Sequence, residues 1–302
     1  MHPLLVCLVG LGALLASPSD ARAQAVVGEK GSLELSLTHS YGFASRIEES
    51  NGKTFPSVFV RTQTSILSAE FVPIERLGLS VSIPLMGVIY DKKKSGALYD
   101  PHGDFDDGSY HFTLQDLRAD VRYMVLPSPL ALSFNLGLTA PLQDYPVQGS
   151  AAPGRHLFQG RIGTAVSWSP SFLPRSFISA SYELTLSQKV NESADTKEFS
   201  QTRSEVMGQL GYFVTPKLPV FLSTVFRQQH DGVEYVDFAM LTAQQQLFHD
   251  PLLKERILLL GLGAAYQITD KIYVSATYHH FISGLNTLNT NIASVGVGWN
   301  AR

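Results

Sequence analysis

The sequence predicts an all-β fold: a transmembrane, antiparallel, up-and-down β-barrel of about twelve strands. Three observations predict it. Long stretches alternate apolar and polar residues. An aromatic residue closes every second stretch. Short and long connections alternate along the chain.

The N-terminus is set aside first. Leu4 to Ala16 is a short apolar run, and Ala21-Arg22-Ala23 offers a small-x-small cleavage pattern. Residues 1–23 are therefore read as a secretory signal peptide and residues 24–302 as the barrel. The run is well short of the ~20 residues that a spanning helix needs. Only His2 stands before it, so the usual positive region is weak. Cys7 is the one cysteine, and it sits too early in the run for a lipoprotein signal. The remaining chain then has no disulfide, thiolate or cysteine-ligated zinc chemistry. The net charge of −3 argues against nucleic-acid partners. No later run reaches helix-spanning length, so a membrane crossing falls to strands, which satisfy their backbone in lipid only as a closed barrel.

The strands follow in order. Their expected spans are 32–43, 57–72, 77–90, 111–125, 130–142, 156–168, 175–188, 202–214, 218–229, 254–268, 271–283 and 290–300. Leu33, Leu35 and Leu37 alternate with Glu34, Ser36 and Thr38 in the first. Leu79, Val81, Ile83 and Leu85 do the same in the third, and Leu130 to Leu138 in the fifth. Ile178 to Leu186, Ile272 to Tyr278 and Val295 to Trp299 repeat the pattern. Successive side chains of a strand point to opposite faces, so each segment has one greasy and one wet face.

Phe71, Tyr123, Trp168, Tyr212, Tyr266 and Trp299 stand at the same end of alternate strands. Amphipathic rings favour the lipid–water boundary, which makes these six a periplasmic aromatic girdle. The links at that end are short: 73–76, 126–129, 169–174, 215–217 and 269–270. The links at the other end are long and polar, as in 91–110, 143–155, 189–201 and 230–253. Bacterial barrels have short periplasmic turns, long outer loops and an even strand count. A secreted β-sandwich would also give period-two strands, but it explains neither the aromatic placement nor the loop alternation. Nor does it explain strands near the ~9–11 residues that cross a bilayer at a tilt.

The wet face carries any chemistry. In the fourth strand Asp116, Arg118, Asp120 and Arg122 share one face, and Leu117, Ala119, Val121 and Tyr123 the other. An arginine at the bilayer midplane costs about 2–4 kcal/mol, so the charged face is assigned to the lumen. Arg61, Glu70, Arg161, Glu183, Glu205 and Arg227 on other strands are expected there too. Two readings stand side by side: a salt-bridge network that braces the interior, and a selectivity filter lining a pore. Met207, Phe213, Phe221, Ile257 and Leu259 also fall inward. That apolar stripe either greets a hydrophobic solute, packs an inward-folded loop, or reflects a register slipped by one. Twelve strands lie between the filled eight-strand barrel and the open sixteen-strand porin, so any pore is narrow.

Asp91, Asp100, Asp104, Asp106 and Asp107 cluster around Gly103 and Gly108. Their spacing departs from the helix–loop–helix calcium motif, and solvated acidity accounts for them; no metal or cofactor is implied. Loop 230–253, with Phe238, Met240, Leu241, Leu247 and Phe248, either plugs the mouth or contacts lipopolysaccharide. His39-Ser40, His279, His280 and Ser283 are the candidates for a rim lipid hydrolase. None sits in a nucleophile motif, so the chain is expected not to be an enzyme.

One resemblance extends this reading. Phe112–Tyr123 (FTLQDLRADVRY), the following LALSFNLGLTAPLQDY, and Tyr278–Thr287 (YHHFISGLNT) resemble elements of the meta-pathway phenol-degradation transporter-like outer-membrane barrels. Asp116 lacks the preceding glycine of that pattern, Leu142-Gln143 replaces Thr-Gly, and the sequence continues past Trp299. The resemblance implies an outer-membrane channel for small solutes, aromatic or other hydrophobic compounds among them. Outer-membrane lipid, lipopolysaccharide and the barrel-assembly machinery are the expected partners. A non-conducting barrel whose surface loops bind a ligand is the alternative.

Overall fold

The computed structural model describes residues 25–91, 107–145, 147, 153–190, 199–232, 234 and 253–301. They form a closed antiparallel barrel of twelve staves. The staves are β1 (Leu33–Glu48), β2 (Thr54–Ile74), β3 (Leu77–Tyr90), β4 (Leu117–Leu126), β5 (Leu130–Ala140), β6 (Gln159–Trp168), β7 (Ser176–Ser187), β8 (Arg203–Thr215), β9 (Leu218–Gln229), β10 (Arg256–Gln267), β11 (Ile272–Leu285) and β12 (Asn291–Asn300). Each pairs with its sequence neighbours. β1 closes the ring on β12, in register from Glu34↔Asn300 to Phe43↔Asn291. Closure leaves no stave with an unpaired edge, the condition for strands in lipid. The signal-peptide expectation lies outside the described residues.

The alternation that predicted the strands sets their orientation. On β5, Leu136 and Leu138 face outward, 61% and 68% exposed, while Ser133 and Gly137 face inward. Leu67, Leu210, Leu222, Leu262 and Val295 extend this outward apolar surface around the ring. A soluble protein does not leave so many large apolar residues exposed; a lipid-facing wall requires them. The six aromatics Phe71, Tyr123, Trp168, Tyr212, Tyr266 and Trp299 all point outward near the short turns.

β3 and β9 coincide with the expected spans 77–90 and 218–229, and β1 continues past residue 43 to Glu48. The expected strand 111–125 is broken. His111–Leu114 pairs with β3 at Leu85↔Leu114, and pairing resumes at Ser82↔Arg118. Residues 83–84 of β3 thus face 115–117, one residue more. This β-bulge re-aims the side chains of Gln115 and Asp116.

Among the described residues, two segments enter the barrel. At the short-turn mouth, the Gly31 N–H donates to Val72 O (2.6 Å) and the Ala25 N–H donates to Ser167 Oγ (3.3 Å). Ala25 packs on Ala131 of β5 and Ala165 of β6. Those staves stand almost opposite β1, so residues 25–32 cross the mouth. At the other end the described parts of the β5–β6 connection turn inward, where Tyr145 and Leu157 are buried.

Candidate functional site: a charged luminal belt

The belt spans the adjacent staves β4 to β9, with charged inward residues on all of them but β5. Arg118 on β4 donates from Nε to Asp120 Oδ2 (3.0 Å), and its other arm reaches Glu183 Oε2 on β7 (2.9 Å). Arg161 on β6 joins the same carboxylates, at 3.0 Å from Asp120 Oδ1 and 3.5 Å from Glu183 Oε2. It also donates to Leu138 O at 3.2 Å. Gly137 of β5 lies between these groups: a methyl there would collide with Asp120 Oδ1 and sit 2.8 Å from Arg161 Cζ. Here glycine leaves room for the paired side-chain ends of Asp120 and Arg161, which a methyl would push aside.

A second cluster continues the belt. Arg227 on β9, wholly buried, donates from Nε to Glu205 Oε2 on β8 (2.8 Å). Its Nη1 lies 3.9 Å from Glu255 Oε1, just before β10. Arg155, from the inward β5–β6 connection, crosses to this wall. It donates to Gln201 Oε1 (3.1 Å), Gln229 Oε1 (2.9 Å) and Glu255 Oε1 (3.3 Å). The connection is fastened by Tyr145, whose hydroxyl donates to Asp116 Oδ1 (2.5 Å) and accepts the His156 N–H (2.9 Å). Buried ion pairs add little net stability once desolvation is counted, but losing one partner strands the other. The belt therefore fixes a geometry more than it stabilises the fold.

Beside the belt the lumen is greasy. Val225, Ile257, Leu259, Phe281 and Ile292 form one buried cluster, with Met207 against it. Phe213 and Phe221 also face inward. The register expected for the stripe holds, which removes a one-residue slip as its explanation. Phe177, Phe213 and Tyr273 line a cavity of about 310 Å3 at the short-turn end, roofed by Val26 of the crossing segment.

The expected luminal residues divide. Asp116, Arg118, Asp120, Arg161, Glu183, Glu205 and Arg227 meet in or beside the belt. Arg122 faces inward but lies nearer the short-turn mouth, lining a cavity with Glu34 and Glu70. Arg61 is a correction. It shares the outward row with Leu67 and Phe71 and pairs with Asp91 Oδ2 at 3.0 Å, near the long-loop end. There a charge pair escapes the hydrocarbon. Arg155, Arg203 and Glu255 complete the belt and were not expected. Arg203 and Glu255 share the inward parity of Glu205 and Ile257, a legible signal; Arg155 lies in a connection with no periodicity.

The other candidates scatter. Ser40 bonds Ser294 (2.8 Å) and His39 bonds Ser65 (2.9 Å). His279 bonds Ser223 (3.0 Å) inside the lumen, whereas His280 and Ser283 are exposed on the outer side. Of the acidic loop, Asp100, Asp104 and Asp106 lie outside the described residues, as do Phe238, Met240, Leu241, Leu247 and Phe248. The Ser109 N–H (2.7 Å), then His111 Nε2 (3.0 Å), hold the Asp107 carboxyl below its usual range.

This architecture is that of solved outer-membrane channels. The chain superposes on the COG4313 outer membrane channel of Pseudomonas putida F1 with a TM-score of 0.67 at 12% identity. The match covers 92% of this chain and 98% of that one. The NanC porin gives a TM-score of 0.51 at 9% identity, over 88% and 98%. At these identities the likeness carries the fold. No family model matches the sequence, and no curated protein matches it.

Proposed function

We propose that the protein is a narrow passive channel for small solutes in the outer membrane of a Gram-negative cell. The observation that carries this reading is the two-sided lumen: a belt of paired guanidinium and carboxylate groups beside a buried apolar wall. Polar groups held at fixed positions in a constriction select among solutes, and an apolar wall lowers the penalty for a hydrophobic body. Aromatic and other amphipathic compounds fit this combination. The 310 Å3 cavity among Phe177, Phe213 and Tyr273 is of single-ligand size. Lipopolysaccharide and lipid cover the outer apolar face, and the barrel-assembly machinery inserts the chain. Swelling of proteoliposomes tests the reading. Benzyl alcohol and small polar solutes should enter faster than through protein-free vesicles, while hexose-sized polar solutes lag. Equal rates with and without folded protein would overturn it.

A second reading is favoured by the two inward segments. Residues 25–32 and the β5–β6 connection narrow both mouths, which fits a barrel that does not conduct until a segment moves or whose outer loops do the binding.

A further inference from the structure

We infer that the luminal belt holds a binding site for a compact carboxylate, of formate or acetate size, centred on Arg203. Arg118, Arg155, Arg161 and Arg203 line one cavity of about 80 Å3, together with Gln115 and Asp116. Three of these guanidinium groups are neutralised. Arg118 and Arg161 share Asp120 and Glu183, and Arg155 pairs with Glu255. Arg203 differs. Among the described residues no carboxylate comes within ion-pair distance of it; its Nε, like that of Arg161, is buried without a hydrogen-bond partner. The residue is only 7% exposed. Glu205, two positions along the same face, is engaged by Arg227 (2.7 Å). Asp116, the carboxylate that does line the cavity, has its Oδ1 held by the Tyr145 hydroxyl.

A buried guanidinium with no ion pair is unfavourable, and the cavity lining presents four guanidinium groups against one carboxylate, Asp116, so it is suited to an anion. Its size excludes a large solute but admits a carboxylate head, and a planar carboxylate matches the fork of a guanidinium. The Asp116 carboxylate on the same cavity disfavours a doubly charged phosphate and leaves a monoanion. The site shares the belt with the channel reading, but its occupancy does not require conduction.

Thermal unfolding of refolded protein in zwitterionic detergent tests it. Sodium acetate replaces sodium sulfate at constant ionic strength. A ligand that binds only the folded state raises the midpoint with its concentration. The wild type should gain several degrees between zero and 100 mM acetate. Arg203→Gln should begin at or above the wild-type midpoint, because it removes a buried charge that has no ion pair, and should show no dependence on acetate. Arg203→Lys keeps the charge without the fork; it stands in if the glutamine variant does not fold, and its apparent affinity should fall at least tenfold. No acetate effect on the wild type, or an equal effect on wild type and both variants, overturns the site. Conductance recorded in sulfate alone reports separately on the channel, so the failure of one reading is not mistaken for the failure of the other.

Discussion

At the scale of single residues, period two decides almost everything. Arg118, Asp120, Arg161, Glu183, Glu205 and Arg227 were legible as luminal because an arginine facing mid-bilayer is costly, and their strands have one clearly greasy side. Arg61 shows where that argument stops. It lies ten residues from Phe71, an even spacing, so an outward Phe71 puts Arg61 outward too. The ion pair with Asp91 resolves the conflict by lying toward the long-loop rim. Two outcomes follow. Gly137→Ala should lower stability by about 1–3 kcal/mol, because the added methyl displaces Asp120 and Arg161 from a packed interior. Leu136→Arg, on the lipid face, should cost about 2–4 kcal/mol. Urea unfolding in lipid vesicles reads both. A cost below ~0.5 kcal/mol for Leu136→Arg would contradict the assigned orientation of β5.

At the scale of elements, strands and turns were read well and interior segments were not. Alternation marks a strand that separates lipid from lumen, and it fades where a segment touches protein on all sides. Residues 25–32 and the β5–β6 connection are of this second kind: neither shows period-two alternation, and each is anchored by contacts to the barrel wall such as Ala25 to Ser167 and Tyr145 to Asp116. The bulge opposite residues 83–84 was legible only as a change of phase: the apolar positions switch from Phe112 and Leu114 to Leu117 and Ala119 across the two polar residues Gln115 and Asp116. These anchors make predictions. Deleting residues 25–31 should enlarge single-channel current several-fold by clearing the short-turn mouth. Tyr145→Phe should leave the barrel folded but increase current fluctuations, because the connection loses a charge-assisted hydrogen bond of about 1.5–3 kcal/mol. Current traces identical to wild type in both variants would show that these segments do not limit the pore.

At the scale of the whole molecule, ring closure, the outward apolar wall and the aromatic girdle are consequences of one pattern repeated around the barrel. The sequence spoke clearly about this architecture because lipid imposes the same demand on every stave. It spoke less clearly about the lumen. There, contacts join staves distant in sequence: Arg155 meets Glu255 and Arg118 meets Glu183 only once the ring has closed. The central claim is that this belt lines a conducting path. The most direct measurement is the reversal potential of single channels in a planar bilayer under a potassium chloride gradient, for wild type and for Arg118→Glu, each shown to be folded by its heat-dependent gel mobility. The account predicts resolved conductance steps from both and a shift of the variant toward cation selectivity. Folded, inserted protein that gives no steps, or steps of unchanged selectivity, would contradict it.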